Sequence, residues 1–341
     1  GPESRLFAVG DDDQSIYGFR GANVGNLAEF EKEYSRGSVI RLEQNYRSQG
    51  NILDAANALI ANNTQRLGKN LWTAAVQGDP LRVFEGESDA DEARFIAEEV
   101  SALKREGARL VDIAVLYRSN AQSRVLEHAL FGAAIPYRVY GGLRFFERAE
   151  VKHALAYLRL IANPSDDNAF LRVANFPPRG IGARSMEQLQ DAAKQKEVSL
   201  FAAVDFSSGK GLPFRKLIEE LQTETKDLSL PEIVEHVIQR GGLIEHYKNE
   251  REGAERVENL EELVNAAAAF TQEDRDLESG EEVSPLVSFL THAALEAGDH
   301  QAAEGQDALQ LMTLHSAKGL EFNAVFMIGL EEGLFPHDQS L

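Results

Sequence analysis

The sequence predicts an α/β protein in which a parallel sheet is interrupted by an inserted all-helical domain. Three observations carry that expectation. Short β-branched runs alternate with amphipathic stretches over residues 6–140. From about 146 to 299 apolar residues recur at spacings of three and four, as in VKHALAYLRLI and LEELVNAAAAF. Two strand-like runs, ALQLMTLH and NAVFMIGL, then return. Strands on both sides of a helical block make the block an insertion whose two connections lie side by side.

Within the first segment LFAVG, SVIRL, LRVFEG, VDIAVLY and IPYRVYG read as strands. Helices are expected over 23–34, 48–63, 90–104 and 120–131, the second and fourth capped by Ser48 and Ser119. With 341 residues and 43% hydrophobic content, the chain can bury two cores. It has no cysteine, hence no disulfide or thiolate metal site, which suits a reducing cytoplasm. No apolar run approaches the roughly 20 residues that span a bilayer. The formal charge of -20 argues against an unselective nucleic-acid binder. The acid is concentrated at 88–94, 245–262 and 273–282, which are expected to be solvated faces away from DNA. Gly1 and Pro2 resemble the remnant of a cleaved tag, so the chain reads as a piece excised from a longer protein.

The chemistry-bearing strings follow strands. In GDDDQSIYGFRGA (10–22) a strand ending at Gly10 sets Gln14 beyond the carboxyl edge of the sheet, within reach of a phosphate or an attacking water. Tyr17, Phe19 and Arg20 combine rings that stack on bases with a cation for phosphates. A turn held by Asx side chains, with two rings in the core, is the structural alternative. In EQNYRS (43–48) Arg47 stands at a helix start, beside an amide-rich terminus suited to a phosphate, and Tyr46 offers a ring for a purine. In TLHSAKGLEF (313–322) Gly319 permits a close turn, Thr313 and His315 suit a DNA phosphate, and Glu321 suits a ribose hydroxyl. Inside the helical block Arg179, Gly180, Ile181 and Gly182 lead into Arg184 and Ser185. This pattern resembles a helix-hairpin-helix turn that presents backbone amides to duplex phosphates, the alternative being a glycine turn between packed helices. Gly241 and Gly242 read as a helix end, and Asp166 and Asp167 as a cap. No metal-ligand set and no hydrolase constellation of another kind is read.

In order, wording and spacing the three strings resemble the UvrD, PcrA and Rep helicases of superfamily one. The likeness continues through RLGKNLWT, LYRSNAQSRVLE, PYRVYGGLRFFER and FLTHAALEAG, the last leaning toward the UvrD branch, and covers essentially the whole chain. The resemblance implies two RecA-like cores flanking an ATP site, with single-stranded DNA crossing both and a helical domain inserted in each. It makes 3–37 the end of the first core, 38–140 with 307–341 the second core, and 141–306 its insertion. By motif, it implies that Gln14 contacts the γ-phosphate and couples it to DNA, Tyr46 stacks on adenine, Arg47 acts on the γ-phosphate and Glu321 helps hold the nucleotide. It places Tyr17, Phe19, Arg20, Asn120, Thr313 and His315 at or near the single-strand track.

The cofactors so implied are ATP and Mg²⁺ in the longer protein, with none held tightly by this piece. The implied partners are single-stranded, duplex and junction DNA, the missing first core and repair proteins, with no membrane. The implied setting is the bacterial cytoplasm at the nucleoid, with 3′ to 5′ movement in excision and mismatch repair. Phe19 stands where tryptophan is commoner in the family, which weakens stacking. The sequence lacks GxxxxGK[ST], a DExx strand and the last arginine motif, so this piece is expected to hydrolyse no ATP by itself. The rival readings are a DNA-binding or partner-binding regulatory module, and a piece of a recombination helicase-nuclease.

Overall fold

The computed structural model describes residues 9–15, 29–30, 32–33, 40–63, 68–140, 143–206, 209–250, 253–276, 284–298 and 305–335. The chain divides into two compact units, Gly1–Glu85 and Gly86–Leu341. In the first, helix α1 (Gly50–Ile60) packs beside the segment 68–80. A parallel bridge between Gln44 and Trp72 joins EQNYRS to RLGKNLWT, and the Asn57 side chain exchanges hydrogen bonds with the backbone of Leu71. Ser48 is not the cap of α1. Gln49 takes that position, because the Asn45 side chain already accepts from the amides of Arg47 and Ser48 at 2.8 Å each. The first amides of the helix, those of Gly50 and Asn51, donate to the carbonyls of Val76 and Gln77.

Most of LFAVG and of the helix expected at 23–34 lies outside the described residues. Of the other early strands, neither residues 40–42 nor LRVFEG (81–86) form one. Apolar alternation makes a strand only where a neighbour supplies the ladder, and among the described residues no ladder includes 81–86. Val83 accordingly stands 96% exposed.

The second unit holds a four-stranded parallel sheet of order β2-β3-β1-β4. Its strands are β1 (Ile113–Tyr117), β2 (Tyr137–Val139), β3 (Leu309–Thr313) and β4 (Ala324–Met327), each within a run that read as a strand. All five residues of β1 are buried, as befits a central strand covered on both faces. Ile113, Val115 and Tyr117 face a core shared with α2 (Asp89–Arg105) and α3 (Ser123–Gly132), while Ala114 and Leu116 meet Met312 on the other side. Asp307 fixes the ladder's start by accepting from the amides of Leu110 and Val111 at 3.0 and 2.8 Å. Ser119 forms the expected cap, a reciprocal box with Gln122 that begins a 3₁₀ turn running into α3.

Between β2 and β3 lies the helical block. It comprises α4 (Ala149–Ala162), α5 (Asp167–Val173), α6 (Ala183–Lys196), α7 (Leu200–Ala203), α8 (Leu212–Glu224), α9 (Leu230–Arg240), α10 (Leu243–Lys248), α11 (Gly253–Asp276) and α12 (Pro285–Gly298). Its core gathers Tyr157, Phe170, Phe214, Leu260 and Phe289. Asp166 caps α5 through the Ala169 amide, as the sequence suggests. No helix among the described residues is long and apolar enough to cross a membrane.

A buried polar network fastens this block to the sheet unit. The Arg148 guanidinium donates to Asn259 Oδ1 and Ser123 Oγ, both at 2.7 Å, and lies 3.9 Å from Glu127. Glu127 also accepts from Ser123 at 2.6 Å, from the Phe145 amide and from the Tyr137 hydroxyl. Burial pushes the Glu127 carboxyl above its usual range despite Arg148. Asn259 donates onward to Glu150, which pairs with Arg256. Replacing Arg148→Ala leaves the buried Glu127 without its cation, and the expected cost is roughly 3–5 kcal/mol. Urea unfolding of wild type and variant measures it, and an unchanged midpoint would contradict the assignment.

Candidate nucleic-acid interface

The carboxyl edge of the sheet collects two of the strings. β1 and β3 are neighbours, with Tyr117 in register with Thr313, and the ladder continues as the Leu314 amide donates to the Tyr117 carbonyl at 2.8 Å. The segments holding Asn120 and Thr313–His315 therefore leave the sheet side by side, at the edge where open α/β folds bind ligands. Thr313 Oγ1 accepts from the Ser316 amide at 3.2 Å and lies 3.0 Å from Ser316 Oγ, closing a tight turn that holds His315 half-buried. That turn ends at Gly319, whose φ of +90° is open to glycine and strained for other residues. Glu321 is exposed in the return connection, two residues before Asn323, whose amide bonds the Asp112 carbonyl at the opposite end of β1.

Over this edge sits the acidic face of α11, which is only in part the solvated surface its charge suggested: Glu255 is exposed, but Glu258 and Glu262 are half-buried. Asn120 donates to Glu255, Ser119 Oγ donates to Glu258 at 2.6 Å, and Arg124 pairs with Glu262. The three glutamates follow spacings of three and four and so share one helix face.

In the first unit Gln14 ends the 3₁₀ turn Asp12–Gln14 and donates to Asp11, which also pairs with Lys69. Burial works to raise the Asp11 carboxyl, but the hydrogen bonds from Lys69 and Gln14 outweigh it and hold it below its usual range. The Tyr46 ring is 85% exposed and its hydroxyl donates to Gln44 at 2.8 Å. Arg47 is exposed three residues before α1, not at its first turn. Because the carbonyls of Val76 and Gln77 take the α1 amides, the amide-rich terminus expected beside Arg47 is already occupied. Tyr17, Phe19 and Arg20 lie outside the described residues.

The turn before α6 is only partly as the sequence suggested. Arg179 is turned inward: its guanidinium donates to the carbonyls of Val173, Pro177 and Gly241 and lies over the rings of Tyr157 and Phe214. Ile181 is buried, and its amide and that of Arg179 both donate to Asn175 Oδ1. Gly180 holds φ +78°, and Gly180, Gly182 and Arg184 are exposed, with Ser185 half-buried. Gly182 is the N-cap of α6 and carries no side chain to close the first-turn amides. An anion at this turn would therefore meet backbone amides and Arg184 rather than Arg179.

Sequence reasoning missed three features here. Lys69 joins Asp11, and Asn45 builds the EQNYRS turn. His128 on α3 and His292 and Glu296 on α12 form a polar cluster where no metal-ligand set had been read. His128 Nδ1 and His292 Nε2 lie 2.7 and 2.8 Å from the same Glu296 oxygen. Burial works to raise the Glu296 carboxyl, but the two imidazoles bring it down to about 2.

A parallel sheet with its chemistry-bearing loops at the carboxyl edge, and a helical block inserted between β2 and β3, defines a RecA-like helicase core with a helical insertion. The chain belongs to the UvrD-like helicase family: residues 40–341 match the UvrD-like helicase C-terminal domain, and residues 1–35 the UvrD/REP helicase N-terminal domain. It is 49% identical to DNA helicase II of Haemophilus influenzae and 49% identical to that of Escherichia coli, in each case over 100% of this chain and 48% of the relative. With the ATP-dependent DNA helicase PcrA of Bacillus subtilis it shares 44% over 98% of this chain and 47% of the relative. The chain thus spans about half the length of these relatives.

The turn before α6 rests on His153, which stacks on Phe176 at 3.8 Å between ring centres and lies 2.7 Å from the Tyr247 hydroxyl. Burial, with the charges of Arg172, His246 and Arg256, lowers its pKa to about 4. The unfolded chain, with an ordinary imidazole near 6.5, binds the proton more readily than the folded one. The contribution of His153 is therefore complete above about pH 6.5 and is lost as pH falls through about 4. Thermal unfolding across this window should show a shallower pH dependence for His153→Phe than for wild type. Parallel curves would exclude the residue as the source.

Proposed function

We propose that this chain is the second motor core and helical insertion of an ATP-dependent DNA helicase that moves 3′ to 5′ on one strand in excision and mismatch repair in the bacterial cytoplasm. The domain limits proposed are 3–37 for the end of the first core, 38–140 with 307–341 for the second, and 141–306 for the insertion. One observation carries the reading: Asn120, Thr313 and His315 leave one carboxyl sheet edge together, in a chain whose relatives are named DNA helicases. These three residues, with Tyr17, Phe19 and Arg20, make up the proposed single-strand track. Gly180, Gly182, Arg184 and Ser185 are proposed to grip duplex phosphates, with Ile181 and Arg179 holding the turn from inside.

ATP and Mg²⁺ are proposed for the longer protein. The residues present suit part of a nucleotide's recognition, since Tyr46 offers an exposed ring to a purine, Arg47 a cation to phosphate, and Gln14 and Glu321 polar groups. The sequence supplies no phosphate cradle, and the α1 amides are already used. Nucleotide hydrolysis is therefore assigned to the whole protein.

Binding of the chain to labelled single-stranded, duplex and junction DNA at two salt concentrations, with ATPase assayed on the same sample, tests this. Salt-sensitive duplex or junction binding without turnover is expected. Arg184→Glu should weaken duplex binding across sequences and reduce the salt slope by about one. Turnover, or duplex affinity untouched by Arg184→Glu and by Gly180→Pro, would count against it.

A second reading, regulation by contact, is favoured by the glutamates of α11 on Ser119 and Asn120. In that reading the docked block competes with the DNA strand for this edge. The double variant Glu255→Ala, Glu258→Ala should bind single-stranded DNA several-fold more tightly than wild type, most visibly at low salt. Equal affinity would dispose of the competition.

A further inference from the structure

We infer that His128, His292 and Glu296 form a zinc site that clasps the inserted helical block to the sheet unit, with water as the fourth ligand. The donors come from two places in the fold. His292 and Glu296 are four residues apart on α12 and so share a face, while His128 stands on α3, 168 residues before Glu296. Their ligand atoms all lie within 4.8 Å of one another.

Two imidazoles and a carboxylate are a donor set that zinc accepts with one open position. Tetrahedral zinc with donors at about 2.0–2.1 Å separates them by roughly 3.3 Å, so each imidazole nitrogen need shift from the Glu296 oxygen by only about half an ångström. The adjoining cavity of about 20 Å³ has room for one water.

The surroundings hold the donors in place. Arg144 donates to the carbonyls of Glu296 and Ala297 and so fixes the last turn of α12. Phe146, Phe270 and Phe289 wall the cavity, and the His292 ring packs against those of His128 and Phe270 at 5.5 and 5.3 Å. Arg124, which also lines the cavity, is paired with Glu262. The ligands are thus oriented in advance, and apolar walls restrict solvent, as outer shells do in metal sites. With no cysteine in the chain, zinc uptake reports on imidazoles and carboxylates alone.

The test is competition for zinc between the purified chain and a chromophoric chelator, paired with thermal unfolding with and without zinc. One tightly held equivalent is expected, together with a rise in the unfolding temperature. Affinity should fall at least about tenfold in His128→Asn and in His292→Asn, and stay unchanged in His236→Asn, whose imidazole pairs with Glu224 elsewhere. His128 is one-third exposed, so its replacement keeps the fold and decides the matter if the His292 variant misfolds. Absence of a stoichiometric equivalent, or an affinity indifferent to His128, overturns the site.

Discussion

The arrangement of the second unit depends on one buried charge, the carboxylate of Glu127. It is removed from water by α3, the β2 strand and the start of the helical block, and an unpaired carboxylate there would cost several kcal/mol. Tyr137 from β2, and Arg148 with the Phe145 amide from the start of the helical block, answer it alongside Ser123 of its own helix, so neither of those two segments can move without exposing an unmet hydrogen bond. Apolar packing could hold the block in many nearly equivalent positions. A satisfied polar network selects one, because its bonds are directional.

The formal charge of -20 takes on a different meaning in the folded chain. Part of the acid is engaged internally. Glu92 accepts from the Gly329 amide, Glu150 from Asn259, and Glu255, Glu258 and Glu262 from the segment after β1. Local pairing, not the sum, decides where an anionic polymer can approach. The turn before α6 is proposed as such a place. Arg179 is consumed within it, whereas Arg184 and the uncapped end of α6 face outward.

Much of this was legible in the sequence. The continuous apolar run IAVLY within VDIAVLY marks the central strand β1, since a strand covered on both faces needs no alternation, and ALQLMTLH marks its neighbour β3. Ser119 with Gln122 is readable because a capping box is local. LRVFEG shows the limit: its pattern is strand-like, yet a strand also needs a partner, and no ladder among the described residues includes it. Arg179 shows another. A cation beside glycines reads as a phosphate contact, and only the fold reveals three carbonyls waiting for it. The His128 cluster was unreadable for the same reason. His292 and Glu296 declare a shared face by spacing, but their third member is supplied by topology.

The contacts between block and sheet unit fall into two kinds, and the difference governs how firmly they hold. Around Glu127, Arg148 and Asn259 the groups are buried and little affected by salt. Along α11 the bridge from Glu255 to Asn120 is exposed, where a hydrogen-bonded or ionic contact contributes little net stability and weakens as salt rises. The inner network therefore sets the orientation of α11 over the sheet edge, and the outer contacts merely close it. Releasing the Asn120 side chain requires giving up only its exposed bond to Glu255. Lifting α11 from the edge as a whole would also break the bond from Arg148 to Asn259, because Asn259 lies on the same helix, so the inner network pins α11 where it is.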